Sequence, residues 1–155
     1  LEYKAADLPH LDAGLGSARL HEALADYLGG PVVRTQTTVL RLTDALSEAS
    51  GYVSGLWHHD RCGRRVKAFL SLRDVGADGR PTWCANASHD TAYYTHSGPL
   101  HLSRFDAAWV ARNYAVAPAL GPRGGGFVFD TNTVHRGQPD AVGSQLRQRG
   151  RCLPV

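Results

Sequence analysis

Clusters of glycine and proline cut this sequence into short segments, and that fragmentation limits the architectures open to it. Gly29-Gly30-Pro31, Gly76-Ala77-Asp78-Gly79-Arg80-Pro81 and Gly124-Gly125-Gly126 each combine residues that tolerate sharp turns with residues that end regular structure. The intervening segments read mostly as strands. Val32 to Leu42 is rich in Val and Thr, a second strand signal surrounds Leu56 to Asp60, and a third runs from Val66 to Leu72. Thr82 to Ala85 and Phe127-Val128-Phe129-Asp130 are further short strands, and Arg147 to Val155 is a last, unusually polar one.

Two helices are expected among them. From Ser17 to Leu28 the residues Leu20, Leu24, Tyr27 and Leu28 fall on one helical stripe, which Gly29-Gly30-Pro31 ends. Ser103-Arg104-Phe105-Asp106 resembles a capping box with Asp in place of Glu, opening a helix that buries Phe105, Trp109 and Val110. Short strands, two helices and no βαβ alternation predict an antiparallel sandwich or jelly roll.

The 155 residues suffice for one domain with a hydrophobic core, spanning 1–155. No apolar run approaches the ~20 residues of a membrane span, so no membrane partner is expected. The start at Leu1, without Met or a signal-peptide pattern, reads as a fragment or trimmed chain. A formal charge of +3 invites a nucleic-acid reading. The basic residues are almost all scattered arginines rather than a clustered face, so no nucleic-acid partner is expected. Cys62, Cys84 and Cys152 are far apart and form no C-x-x-C pair, which argues against a disulfide framework or structural zinc and for a reducing, cytoplasmic setting.

The chemistry concentrates in Trp57-His58-His59-Asp60. Side chains alternate along a strand, so His58 and Asp60 share one face and His59 takes the other. An imidazole and a carboxylate on one face supply two ligands of a 2-His-1-carboxylate site, which leaves positions open on iron for a chelating cosubstrate and oxygen. His135, just past the Phe127–Asp130 strand, is the candidate third ligand. Read one at a time, the plainer readings come first: a hydrogen-bonded surface pair for His58 and Asp60, and a turn histidine for His135.

The same landmarks, in order, resemble the phytanoyl-CoA dioxygenase-like family of Fe(II)/2-oxoglutarate-dependent oxygenases. They are Trp57 to Asp60, Phe69-Leu70-Ser71-Leu72-Arg73-Asp74-Val75, Gly79 to His89, Gly126 to Asp130, and an arginine after the distal histidine. The similarity spans roughly Ser17 to Arg147. Two departures stand out. Ala85-Asn86-Ala87 replaces the family's Val-Pro-Gly, which predicts a differently shaped turn, and the final strand is polar rather than apolar.

The resemblance implies a mainly β fold, a double-stranded β-helix (jelly roll) with a few flanking helices. It implies Fe(II) held by His58, Asp60 and His135, with 2-oxoglutarate and O2 as cosubstrates. Hydroxylation of a small-molecule substrate would release succinate and CO2. Asp60 favours hydroxylation over halogenation, because related halogenases carry a small residue there. The distal carboxylate of 2-oxoglutarate needs an arginine, whose planar fork binds carboxylate bidentately. Arg147 is the first candidate, and Arg149 and Arg151 share its strand parity; the alternative role for these arginines is a solvated basic edge. Trp57 and Trp83 fit either the cosubstrate pocket or the core, and Tyr93, Tyr94, His96 and His101 either a lid or a surface loop. Two other functions use the same three ligands: a zinc-dependent hydrolase or cupin-like enzyme, and a non-catalytic metal-binding member of the fold. Substrate identity and oligomeric state are not legible.

Overall fold

The computed structural model of the chain describes residues 2–4, 16–40, 53–60, 63–90 and 104–138. Among them it shows a β-rich fold of small antiparallel sheets with two helices. Strand β1 (Glu2–Lys4) pairs with β2 (Thr38–Leu40), separate from the rest. The expected strand from Val32 to Leu42 is thus much shorter. Residues 31–37 form no ladder, and 41–42 lie outside the described residues.

Helix α1 (Ala18–Leu28) forms where local signals place it. The Ser17 side chain accepts the Leu20 N–H, satisfying one of the donors that a helix start leaves open, and Gly29 ends the helix at a left-handed φ of 72°. The apolar stripe is only partly covered, and no residue of α1 is fully buried. Polar contacts dock it instead. The Tyr27 hydroxyl donates to Asp130 at 2.9 Å, and Arg64 donates to the Leu28 carbonyl at 3.2 Å.

Strand β3 (Val66–Leu70) runs antiparallel to β6 (Gly126–Asp130), with Lys67 opposite Phe129 and Phe69 opposite Phe127. Gly126 is required for this approach, because a Cβ there would meet the Phe69 carbonyl oxygen at 2.1 Å. Opposed residues share a face, and Phe69, Phe127 and Phe129 stack there with centroids 5.0 to 5.9 Å apart.

The other sheet is ordered β5 (Val116–Pro118), β4 (Thr82–Ala85), β7 (His135–Gly137). It continues beyond β7, because His58 bridges His135 on one side and Arg104 on the other. Sequence reading placed a strand around Leu56 to Asp60. The structure has a 3₁₀ turn at Val53–Gly55 and then an extended segment that pairs through single bridges. Strands β5 and β7 were not anticipated.

Helix α2 (Ala107–Asn113) starts later than a box opened by Ser103 would require. Asp106 is itself the cap and accepts the Trp109 N–H at 2.8 Å; Ser103 lies outside the described residues. The helix buries Val110 completely against Trp57, Ala85 and Val134, flanked by Trp83, Phe105, Trp109 and Tyr114. This core sits directly behind the His58–His135 bridge.

Candidate metal centre

The His58–His135 bridge is the frame of the site. Each backbone donates to the other, His58 N to His135 O at 2.9 Å and His135 N to His58 O at 2.7 Å. Residues opposed in an antiparallel pair project to the same face, so the two imidazoles meet, with ring centroids 4.4 Å apart. Asp60 lies two residues beyond His58 and therefore on the same face. Its N–H donates to Thr131 O at 3.0 Å, which holds the segment against the β6–β7 turn. One ligand atom from each of His58, Asp60 and His135 lies within 4.8 Å of the others, a grouping able to hold a metal ion. His59 is turned to the other side, where its ring packs near Phe105 at 6.0 Å.

Both ligand histidines are oriented by their own chain. His58 Nδ1 lies 2.7 Å from Leu56 O, and His135 Nδ1 lies 2.8 Å from Thr133 O. A carbonyl oxygen only accepts, so Nδ1 carries the proton in each ring and Nε2 presents a lone pair. Fixing the tautomer through the second nitrogen is what metal-binding histidines require. Immediately behind the ligands are Trp57 and Val134, which are 5% and 0% exposed. The Arg136 guanidinium lies over the Trp57 ring at 4.9 Å.

The electrostatics keep the donors in their ligating forms. Burial pushes the His58 pKa down to about 4, with His135 and Arg104 adding to the effect. Burial also lowers His135. Burial raises Asp60, but the Lys67 ammonium and the two histidines outweigh it and hold the carboxylate below its usual range. Near neutral pH the site therefore offers two neutral imidazoles and one carboxylate. His135 Nε2 stands 3.8 Å from Asp60 Oδ2, too far for a hydrogen bond between them. Lone pairs converging without a shared proton are a donor set that a divalent cation satisfies. Two histidines and a carboxylate in this arrangement could hold a metal ion.

Several residues were not singled out by sequence reading. Lys67, on β3, places its ammonium 2.6 Å from Asp60 Oδ2. Ser88 is fully buried; its hydroxyl donates to Ala85 O at 2.7 Å and accepts from Val134 N at 2.8 Å, pinning the end of β4 to the approach of His135. Arg104 flanks His58 on the sheet edge. The Ala85-Asn86-Ala87 turn, which the sequence did single out, has an unusual backbone, with Ala87 at a φ of 58° in the left-handed region that glycine favours.

Other sequence candidates resolve differently. Trp57 belongs to the core, and Trp83 packs against it while its indole donates to Gln138 at 2.9 Å. His89 lies outside the triad and faces Asp90 at 3.5 Å. Cys84 is the register partner of His135, and burial pushes its thiol pKa up. Arg147, Arg149 and Arg151, together with Tyr93, Tyr94, His96 and His101, lie outside the described residues. Among the described residues, no helix is long and apolar enough to cross a membrane.

No family model matches the sequence, and no curated protein matches it either. Among solved structures the chain is similar to the crystal structure of AviO1 from Streptomyces viridochromogenes Tue57, at 25% identity and a TM-score of 0.52. The similarity covers 82% of this chain and 52% of AviO1, so the chain spans about half the length of that protein.

Proposed function

We propose that this chain is an Fe(II)- and 2-oxoglutarate-dependent dioxygenase of the phytanoyl-CoA dioxygenase-like type, built on a double-stranded β-helix, that hydroxylates a small organic molecule. The observation that carries the reading is the His58, Asp60 and His135 cluster, whose ligand atoms gather within 4.8 Å across a single antiparallel bridge. Pairing of sequence-distant strands supports the fold. Residues 66–70 pair with 126–130 in one sheet, while 82–84 pair with 135–137 in another, an alternation suited to a jelly roll. The likeness to AviO1 adds a solved structure of related shape.

His58, Asp60 and His135 would hold iron(II), which would supply oxygen activation coupled to decarboxylation of 2-oxoglutarate to succinate and CO2, and hydroxylation of a substrate C–H bond. The chain's contribution is to hold and shield. The neutral imidazoles and single carboxylate bind a dication without cancelling its charge, which leaves attraction for an anionic cosubstrate. Trp57 and Val134 close the back of the site to water. Arg147 is the proposed partner of the distal carboxylate of 2-oxoglutarate, with Arg149 and Arg151 as the alternatives on the same strand parity. A cytoplasmic, reducing setting accompanies this reading, since an Fe(II) site and a free thiol such as that of Cys84 both persist there.

The test is succinate formation from 2-oxoglutarate under air, with and without Fe(II), across a panel of small molecules. Iron-dependent succinate is the expected result. Turnover supported by zinc in the absence of oxygen would replace the oxygenase with the hydrolase. Arg147→Ala should weaken 2-oxoglutarate binding by the ~2–5 kcal/mol typical of truncating one partner of a buried charge pair, while iron affinity without cosubstrate hardly changes. A large effect in Arg149→Ala or Arg151→Ala, with none in Arg147→Ala, would move the cosubstrate arginine along the chain.

A further inference from the structure

The oxygen of Asp60 that faces His135 is already engaged. Lys67 reaches it from the opposite sheet, Nζ to Oδ2 at 2.6 Å, while the same Oδ2 stands 3.8 Å from His135 Nε2. The Lys67 side chain is about half exposed, 46%, whereas Asp60 is 21% exposed, so the ammonium approaches from the solvent side of the carboxylate. Its position follows from the strand register. Lys67 opposes Phe129, and the Phe129 ring lies 4.7 Å from that of His135. Lys67 is therefore built into the face of β3 that looks onto the triad.

A divalent cation ligated by Asp60 would stand a few ångströms from this ammonium. Like charges at that distance repel, and the ammonium also competes for the carboxylate lone pairs. Its flexible four-carbon stem, half in solvent, lets the ammonium draw back from the carboxylate if a metal binds there. An anion arriving at the open metal positions would remove the repulsion and give the ammonium a new partner.

We propose that Lys67 is a positioning residue of the metal site, a resident counter-ion that weakens capture of a bare dication and favours loading of the metal together with an anionic ligand. This inference rests on the metal-site reading above and makes a separate claim. It predicts thermodynamic coupling: the anion tightens the metal, and by linkage the metal tightens the anion, both more strongly with Lys67 present than without it. An anionic 2-oxoglutarate is one such ligand, and an acidic substrate is another.

The experiment uses the full chain, stripped with a chelator and titrated with Mn(II), followed by electron paramagnetic resonance, with and without 2-oxoglutarate under argon. No turnover is needed. Lys67→Met should bind Mn(II) alone roughly tenfold tighter than the unaltered protein, the size of effect expected when one neighbouring like charge is removed. The same variant should gain several-fold less affinity from 2-oxoglutarate than the unaltered protein does. Lys67→Arg, which keeps the charge and guards against a folding failure of the methionine variant, should behave like the unaltered protein. Equal Mn(II) affinity and equal 2-oxoglutarate coupling in Lys67→Met and the unaltered protein would overturn the inference while leaving the metal site intact. No Mn(II) binding to the unaltered protein or to Lys67→Met, with or without 2-oxoglutarate, would overturn both, as would binding that His58→Ala leaves unchanged.

Discussion

The first helix and the histidine bridge are both well specified, but by different means. Helix α1 carries a serine cap, a glycine stop and an apolar stripe, all encoded within a dozen residues, and yet buries none of its side chains completely. The bridge between His58 and β7 has little local encoding. His135-Arg136-Gly137 has no strand propensity to speak of, yet His58, His59, Val134 and His135 are all buried. The helix is held by its own sequence and pinned by a few polar contacts. The bridge is held by its surroundings. Local rules suffice to shape an element, and tertiary packing is needed to give it rigidity.

The largest test of this contrast is chemical. His58→Ala, Asp60→Ala and His135→Ala should each abolish iron-dependent turnover, while His59→Ala, one residue from two ligands, should leave metal binding largely intact. Metal titration of the four variants checks it. Loss of binding in His59→Ala with binding retained in His58→Ala would reverse the assignment of faces.

Acid should discriminate between the two regions next. The folded His58 pKa of about 4 lies below its ordinary 6.5, so folding excludes a proton that the unfolded chain takes up. Stability from this source is complete above pH 6.5 and is lost as pH falls toward 4; His135 is shifted in the same direction. The loss is on the order of 3 kcal/mol for His58. Denaturant melts of chelator-treated protein at pH 7 and pH 4.5 should show it, and an equal or greater stability at pH 4.5 would contradict the burial of these rings.

Ser88→Ala removes a hydroxyl that satisfies two buried backbone groups and should destabilise by about 1–3 kcal/mol, read as a lower denaturation midpoint. Ala87→Gly should act in the opposite direction. It relieves a left-handed alanine in the neighbouring turn and should stabilise by roughly 0.5–1 kcal/mol, against a greater backbone entropy loss. A loss of stability would mean that the Ala87 methyl packs usefully.

At the other end of the scale is Ser17→Ala in α1, costing about 1 kcal/mol or less of local helix stability. Amide hydrogen exchange should report faster opening of the first turn of α1 with no change across β4 and β7. Spread of the effect to β7 would show that the helix and the bridge are not independent.

What could be read from the sequence follows the same division. The boundaries of α1 were legible because every signal is within reach of its own chain. The His58 and Asp60 faces were legible because alternation is local, and it survives even where the segment pairs only through single bridges. His135 was found by its position after a strong strand, although β7 itself was invisible, being defined by its partners Thr82 to Cys84. Asp106 was recognised as a capping residue but assigned to the wrong place, since a motif match does not fix which residue turns out of the helix. Lys67 could not have been found, because its relation to Asp60 depends on the register of β3 against β6. The Val-Pro-Gly departure pointed to the correct turn, where a strained alanine takes the conformation that glycine would adopt.

The carbonyls that receive the two Nδ1 protons belong to Leu56 and Thr133, each two residues before the histidine it steadies. Orientation of the ligands thus needs no outside side chain, only a backbone oxygen and a buried residue between it and the ring. Leu56-Trp57-His58 and Thr133-Val134-His135 are in this sense interchangeable cassettes. For an engineer this means that positions 56 and 133 can be varied with little effect on the imidazoles. It also means that a pair of such tripeptides, set opposite one another on an antiparallel ladder, is a transplantable half-site that lacks only its carboxylate.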